Sequence, residues 1–143
     1  MSKALKIALL VSYLAVLISA SLWPTPVDGG GFIWYLTSEV LKFAQQVSWL
    51  HWLQYSQLEA LANMLLYLPL GVFLVLFIRK APIWLLVISP ALVSMAAEGI
   101  QRLFLPARYP TLDDVINNSI GGAIGVLIAV GIRQWRRWRL SGR

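Results

Sequence analysis

Cysteine is absent from this chain of 143 residues, and histidine occurs once. The lack of cysteine excludes a disulfide framework, a thiolate zinc site and a thiol nucleophile within these residues. Charged residues are also scarce, at 13% of the chain, whereas 59% of the residues are hydrophobic. This composition is too apolar for an ordinary soluble domain, and the length is that of one domain. We therefore expect a single membrane domain over residues 1–143.

The basic residues, which give the chain a net charge of +6, lie beside apolar runs rather than on one face. Nine of the 12 lysines and arginines fall in three such places: Lys3 and Lys6; Arg79 and Lys80; and Arg133, Arg136, Arg137, Arg139 and Arg143. This distribution is the positive-inside pattern of membrane proteins. It predicts a lipid bilayer as a partner and no nucleic acid.

Four apolar runs are long enough to cross the hydrocarbon core of a bilayer as helices. They predict spans at residues 7–23, 58–78, 83–104 and 113–132. Pro106 and Pro110 separate the last two spans, because proline interrupts a helix. The first run also has the basic start and small residues of a secretory signal peptide. We prefer a retained anchor, since its removal would leave an odd number of spans, and the signal peptide stays as the alternative.

Residues 32–55 follow a different pattern, in which Leu36, Val40 and Phe43 recur at helical spacing and polar side chains lie on the other side. We interpret this segment as an amphipathic helix in the outer membrane interface. A helix packed over the mouth of the bundle is an alternative that is compatible with it. The predicted fold class is therefore all-α, with four transmembrane helices and one amphipathic interfacial helix on the outer side.

The charges also predict the orientation of the chain. Four spans place both termini on one side, and with that side cytoplasmic only Lys42, Arg102 and Arg108 of the basic residues lie outside. All six acidic residues then fall in the outer half. We predict a multi-pass protein of the plasma (inner) membrane with both termini in the cytoplasm.

Polar side chains in three of the predicted spans lie at one depth. Asn63 follows the start of its span by five residues, Glu98 precedes the end of its span by six, and Asn117 and Asn118 are the fourth and fifth residues after Asp113. At 1.5 Å per residue, each lies about 6–9 Å below the outer boundary. Polar groups are costly inside a membrane and mark functional sites there. The sequence predicts a polar pocket that opens to the outer surface.

The ligand-binding residues predicted for this pocket are Asn63, Tyr67, Glu98, Gln101, Arg108, Asp113, Asp114 and Asn117. Arg108 is expected to take a phosphate or carboxylate as a bidentate donor, and the amides to orient sugars or peptide groups. For a reaction, Glu98 and Asp114 are the candidate general bases. The spacing matches no metal motif, so we expect no metal site and no cofactor; a divalent cation bridging carboxylates and a phosphate is the weaker alternative.

Several of these residues also have a structural explanation. Thr111 and Asp114 have the spacing of a capping box at a helix start. Glu98 needs a partner, for which Arg102, Arg108, Asn117 and a proton are the candidates, and an ion pair that joins the third span to the fourth is the structural alternative.

Small residues predict how the helices pack. Gly121 and Gly125 form a small-xxx-small seam that allows another helix to approach closely. Pro69 and Gly71 are expected to kink the second span.

The order of the polar and small residues along the chain resembles that of the VanZ-like family. The resemblance is carried by Asn63, residues 67–71, Glu98 with Gln101, Arg108, residues 113–118, Gly121 and Gly125. It covers about residues 58–132, and it departs from the family at Asn118, where threonine is common. The resemblance implies a small polytopic envelope protein, and the family takes its name from a protein that lowers susceptibility to teicoplanin.

The sequence and the resemblance together suggest that the pocket binds or modifies an envelope component. A lipid-linked cell-wall precursor is the leading hypothesis, with reduced glycopeptide binding as a consequence. One alternative is a membrane enzyme that carries out phosphoryl or acyl transfer, or hydrolysis, on a lipid headgroup. The other is a structural or assembly subunit of an envelope complex. The expected partners are the bilayer and an envelope lipid or precursor.

The orientation is tested by reporter fusions. Green fluorescent protein fused after Arg143 should fluoresce, because it folds in the cytoplasm, and alkaline phosphatase at the same place should be inactive. Fusions after residue 107, in the predicted outer loop, are the matched control and should give the opposite results. An active phosphatase at the C-terminus would overturn the topology.

Overall fold

The computed structural model describes residues 2–22, 31–107, 109 and 111–141. Within them lie five α-helices and one short 3-10 turn, Ser48–Leu50, with no strand: α1 (Lys3–Ser21), α2 (Phe32–Gln46), α3 (Tyr55–Phe77), α4 (Ile83–Phe104) and α5 (Leu112–Ser141). All but α2 are long and apolar enough to cross a membrane. The predicted all-α fold with four candidate spans and one further helix is confirmed.

Helices α3 and α5 form the central pair, with α4 packed on α5 and α1 on α3. The pair is parallel, since Gly121 faces the backbone of Met64 and Gly125 faces that of Leu68. A Cβ atom added at either glycine, or at Gly71, would overlap the backbone of the other helix. Close backbone approach of this kind is what small residues permit between membrane helices. The predicted seam is confirmed, and its partner is α3.

An apolar core fills the end of the bundle where α3 and α5 leave the seam and α4 begins. It consists of the buried side chains of Val75, Leu86, Val126, Ala129 and Val130. A second buried cluster joins α1 to α3 and contains Leu17, Tyr67 and Leu70.

Helix α1 also contacts α3 through a polar group, because the Tyr13 hydroxyl donates a hydrogen bond to the carbonyl of Leu66 at 2.8 Å. Removal of a signal peptide would remove these contacts.

Two helix ends lie nine residues from the predicted ones, and the other boundaries differ by four residues or fewer. Helix α2 ends at Gln46 rather than at residue 55, because Val47 adopts an extended conformation (φ −109°, ψ 113°) and the chain then makes a short 3-10 turn. Helix α5 continues past residue 132 to Ser141. No glycine or proline lies between these positions, and the Arg139 guanidinium stacks 3.9 Å from the centre of the Trp135 ring.

The exposed face of α2 carries an ion pair. Lys42 Nζ donates to Glu39 Oε1 at 2.7 Å, and this hydrogen bond raises the pKa of Lys42. The opposite face presents large apolar side chains, and the Trp34 ring lies 6.1 Å from the ring of Tyr55 at the start of α3. We call the end of the bundle where α3 and α5 begin the cleft end, and Trp34 and Thr37 of α2 lie beside it.

The glycine seam predicts opposite effects of one substitution at two places in α5. Gly121→Ala should destabilise the protein by about 1–3 kcal/mol, because the added methyl meets backbone that cannot give way. Gly131→Ala is the matched control, since nothing lies within 4 Å of its added Cβ. It should leave stability unchanged or raise it by up to about 1 kcal/mol. Midpoints of thermal unfolding in detergent test this, and equal effects at both positions would contradict the packing.

Candidate functional site

At the cleft end, a hydrogen-bonded carboxylate joins α3 to α5. Asn63 Nδ2 donates to Asp114 Oδ1 at 2.6 Å, and the Thr111 hydroxyl donates to Asp114 Oδ2 at 2.7 Å. The Thr111 oxygen in turn accepts a hydrogen bond from the Asp114 backbone N–H at 3.1 Å. Thr111 thus caps the start of α5, as the spacing predicted, and the same carboxylate reaches across to α3.

A second polar contact joins α4 to α5 in the interior. Asn118 Nδ2 donates to the hydroxyl of Ser94 at 2.9 Å, and both residues are buried, with exposed fractions of 5% and 0%. The other polar atom of this amide, Asn118 Oδ1, is buried and accepts no hydrogen bond from the part of the chain that the structure describes. A buried acceptor in this state costs free energy.

The end of α1 completes the set of interhelical contacts. Gln101 Nε2, on α4, donates to the backbone carbonyl of Ser21 at 2.8 Å. Tyr67 of α3 is 1% exposed, and its hydroxyl lies beside the side chains of Ser21 and Ser94. Hydrogen bonds therefore link α1, α3, α4 and α5 in the part of the bundle nearest the cleft end.

An open cleft of about 900 Å³ lies above these contacts. Its walls come from the ends of α1 and α4, from the starts of α3 and α5, from Thr37 of α2 and from Tyr109 in the loop between α4 and α5. Four carboxylates line it, from Glu59, Glu98, Asp113 and Asp114. The cleft is large enough for a polar headgroup, since ligand pockets have volumes of about 300–1,000 Å³.

The structure brings seven of the eight predicted ligand-binding residues to this cleft: Asn63, Tyr67, Glu98, Gln101, Asp113, Asp114 and Asn117. The eighth, Arg108, lies outside the described residues. An ion pair of Glu98 with Arg108 therefore stays a prediction, as does the binding role of each residue.

Three residues at the site are not among the predicted ligand-binding residues: Glu59, Ser94 and Asn118. Asn118 was set aside because of its departure from the family, although its position one residue after Asn117 places it at the same depth. Ser94 lies one turn from Glu98 on the same face of α4, which is the signal that predicts its contact. Glu59 lies one turn before Asn63 on α3, and it lines the cleft with it.

The arrangement can bind a ligand through carboxylates and amides. Among the residues described, no three His, Cys, Asp or Glu side chains converge where they could hold a metal ion. Glu98 and Asp114 both line the cleft, so either carboxylate can reach a ligand bound there. An acceptor-rich cleft of this kind recognises groups that donate hydrogen bonds.

These features define a small multi-span membrane protein with a polar cleft at one end of its helix bundle. A sequence profile of the VanZ/LLP1 family matches residues 7–134 of the chain. The protein belongs to the VanZ/LLP1 family. The match includes the first span and α2, and thus extends beyond the motif-bearing region at 58–132. No curated protein and no solved structure matches the chain.

The contact between Asn63 and Asp114 is tested by a double-mutant cycle. Asn63→Ala, Asp114→Ala and the double variant should give a coupling of about 1 kcal/mol, which is typical of hydrogen bonds between membrane helices. Asp113 is the matched control, because this neighbouring carboxylate lines the same cleft and Asn63 bonds to Asp114 instead. The cycle of Asn63 with Asp113→Ala should be additive. The free energy of unfolding of each variant, measured in mixed detergent, gives the coupling for both cycles. Equal couplings would contradict the contact between Asn63 and Asp114.

Proposed function

We propose that this VanZ/LLP1-family protein binds the polar headgroup of an envelope component in its cleft, with a lipid-linked cell-wall precursor as the leading ligand. Shielding or altering that component would lower the binding of a glycopeptide such as teicoplanin. The observation that carries the proposal is the cleft itself, an open space of about 900 Å³ lined by polar side chains of four spanning helices. A bundle held only for stability has no need to keep that space open.

We place the cleft on the outer face of the plasma membrane. The 30 residues of α5 extend about 45 Å, which exceeds a hydrocarbon core of about 30 Å, so the arginine-rich end of the helix emerges from the bilayer. Arginines interleaved with Trp135 and Trp138 suit the anionic cytoplasmic leaflet. The cleft, at the opposite end of α5, then faces the compartment in which cell-wall precursors are used.

A headgroup at this position remains attached to its lipid. The cleft end lies at the level where headgroups of the outer leaflet sit. Helix α2 and the segment that follows it present aromatic side chains there, with Trp34, Trp49 and Trp52 all exposed. Aromatic side chains of this kind favour the interface between headgroups and acyl chains. The acyl or polyprenyl chain would stay in the bilayer while its polar group enters the cleft.

A structural role is the second candidate, and the interhelical hydrogen bonds favour it. Three side-chain amides donate hydrogen bonds to a neighbouring helix, so each contributes to assembly of the bundle: those of Asn63, Gln101 and Asn118. A subunit that only supports an envelope complex would need these bonds and no ligand. Variants of these residues would therefore not separate the two functions, and the test uses a residue that lines the cleft through a carboxylate.

Glu98→Gln keeps the shape of the side chain and removes its charge. We expect the purified variant to retain at most about a tenth of the precursor lipid that the wild type retains, since a charge-assisted hydrogen bond contributes about 1.5–3 kcal/mol. Mass spectrometry of co-purified lipids measures this, and teicoplanin binding to whole cells should rise in parallel. Glu39→Gln, which removes a carboxylate outside the cleft, is the control.

Three outcomes distinguish the functions. Reduced retention at unchanged abundance supports a binding protein. Disappearance of a modified lipid from cells, at unchanged abundance of the variant, indicates a membrane enzyme. A fall in the abundance of the variant, together with the loss of a partner protein that co-purifies with the wild type, indicates a structural subunit. Identical lipid profiles for the wild type and Glu98→Gln would contradict the proposal.

A further inference from the structure

The end of the bundle opposite the cleft end, which we call the basic end, carries cations on two elements. Arg79 and Lys80 lie in the turn between α3 and α4. Helix α5 carries Arg133, Arg136 and Arg137 near its end. Among the described residues, the carboxylates lie on α2 or along the cleft, so none of them accompanies these cations.

Packing brings the two groups of cations side by side. Ala81, in the same turn, packs against the apolar cluster that contains Ala129 of α5. The arginines of α5 follow Ala129 by four, seven and eight residues, which is the spacing of one helix face. Arg133 is half-buried, whereas Arg136 and Arg137 are exposed. The three arginines therefore continue the face of α5 that packs against the turn.

These cations repel one another unless an anion lies among them. Arg133 and Arg137 are four residues apart, and like charges at that spacing destabilise a helix. Their depth in the membrane indicates which anion is available. Residues 112–132 of α5 extend about 31 Å, which matches a hydrocarbon core of about 30 Å. Arg133 and Arg137 then lie at the level of the lipid phosphates.

A separate observation concerns the surface between α4 and α5. An apolar groove of about 510 Å³ runs along it, lined by Trp84, Val87, Ile88, Ala91, Ser119, Ile120 and Ala123. The hydroxyl of Ser119 donates to the carbonyl of Val115 in its own helix, so it is not offered to a ligand. Trp84 and Ala91 are seven residues apart, which makes the groove about 10 Å long. The Trp84 end lies at the start of α4, four residues after Lys80.

The groove and the basic end match the two parts of an anionic phospholipid. A hydrocarbon chain lying in the groove carries its phosphate past Trp84 to the cations of the turn and of α5. Guanidinium groups bind phosphate as bidentate donors, and tryptophan favours the interface where the chain meets the headgroup. Basic pockets between membrane helices bind anionic headgroups in this way.

We propose that the basic end is a binding site for an anionic phospholipid. Its phosphate lies between the turn and the arginine face of α5, and one acyl chain lies in the groove between α4 and α5. The site is at the other end of the bundle from the cleft, and the inference does not depend on the function proposed for the cleft. A zwitterionic lipid has the same phosphate and chains, but it also carries a cation that the arginines repel.

The test compares two lipids that differ in this cation. Protein purified in detergent is incubated with vesicles that contain equal amounts of phosphatidylglycerol and phosphatidylcholine, and native mass spectrometry measures the lipid that stays bound. We expect phosphatidylglycerol to be retained at least about tenfold more, because several basic residues act on one phosphate. Equal retention of the two lipids by the wild type would overturn the inference.

Variants on α5 distinguish a site from a general attraction by positive charge. Arg133→Gln and Arg137→Gln should each lower the preference about fivefold. Arg139→Gln is the matched control, since it removes the same charge from the same helix. The Arg139 guanidinium lies 3.9 Å from the centre of the Trp135 ring, which is on another face of α5. This control should keep the preference within about twofold of the wild type. Equal losses in all three variants would contradict a site on the arginine face.

A second pair of variants tests the groove without changing any charge. Ala123→Leu fills the groove from α5 and Ala91→Leu fills it from α4, and each should lower the retention of phosphatidylglycerol severalfold. Ala96→Leu, at an exposed position of α4 outside the groove, is the control and should retain as much lipid as the wild type. Thermal unfolding in detergent identifies the folded variants. Unchanged retention in both folded groove variants would overturn the placement of the chain.

Competition with inorganic phosphate distinguishes a lipid from a free anion. An excess of inorganic phosphate should leave the bound phosphatidylglycerol in place, because the acyl chain contributes to its binding. Displacement of the lipid would contradict a phospholipid site. Failure of the inference leaves the proposed function of the cleft intact, since Glu98→Gln tests that function at the other end of the bundle.

Discussion

The fold depends on direct contact between the backbones of α3 and α5. Lipid tails are as apolar as the side chains of membrane helices, so burial of apolar surface drives little association between them. Close packing has to supply the attraction, and Gly71, Gly121 and Gly125 provide it by leaving no side chain between the helices. The same approach brings the starts of both helices together. Asn63 and Asp114 can meet at 2.6 Å because the glycines a few turns further along remove the obstacle.

Polarity divides the bundle along its length. One end is closed by aliphatic side chains such as Leu86 and Val126, and the other contains every interhelical side-chain hydrogen bond described above except that of Tyr13. An unsatisfied polar group is expensive in a membrane, so polar residues there pair across helices. Asn63 and Gln101 consequently serve both as the scaffold and as the lining of the cleft.

The sequence was sufficient to predict four candidate spans and the gathering of polar residues at one end of the bundle, because hydropathy and helical spacing are local properties. It also predicted that Gly121 and Gly125 face another helix. It could not predict the partners: the bond from Gln101 to the carbonyl of Ser21 depends on how α1 docks, and that of Asn118 depends on the rotation of α4. The early end of α2 at Gln46 was missed because the amphipathic pattern continues through a turn that the backbone of Val47 creates.

The acidic character of the cleft has no complete explanation in topology or helix electrostatics. The positive-inside rule governs lysine and arginine, and acidic residues contribute little to it. Helix dipoles favour Asp113 and Asp114 in the first turn of α5. They contribute little at Glu98, because it lies six residues before the end of α4 and the dipole acts within the last turn. Helix electrostatics therefore explain the two aspartates of the cleft and do not explain Glu98.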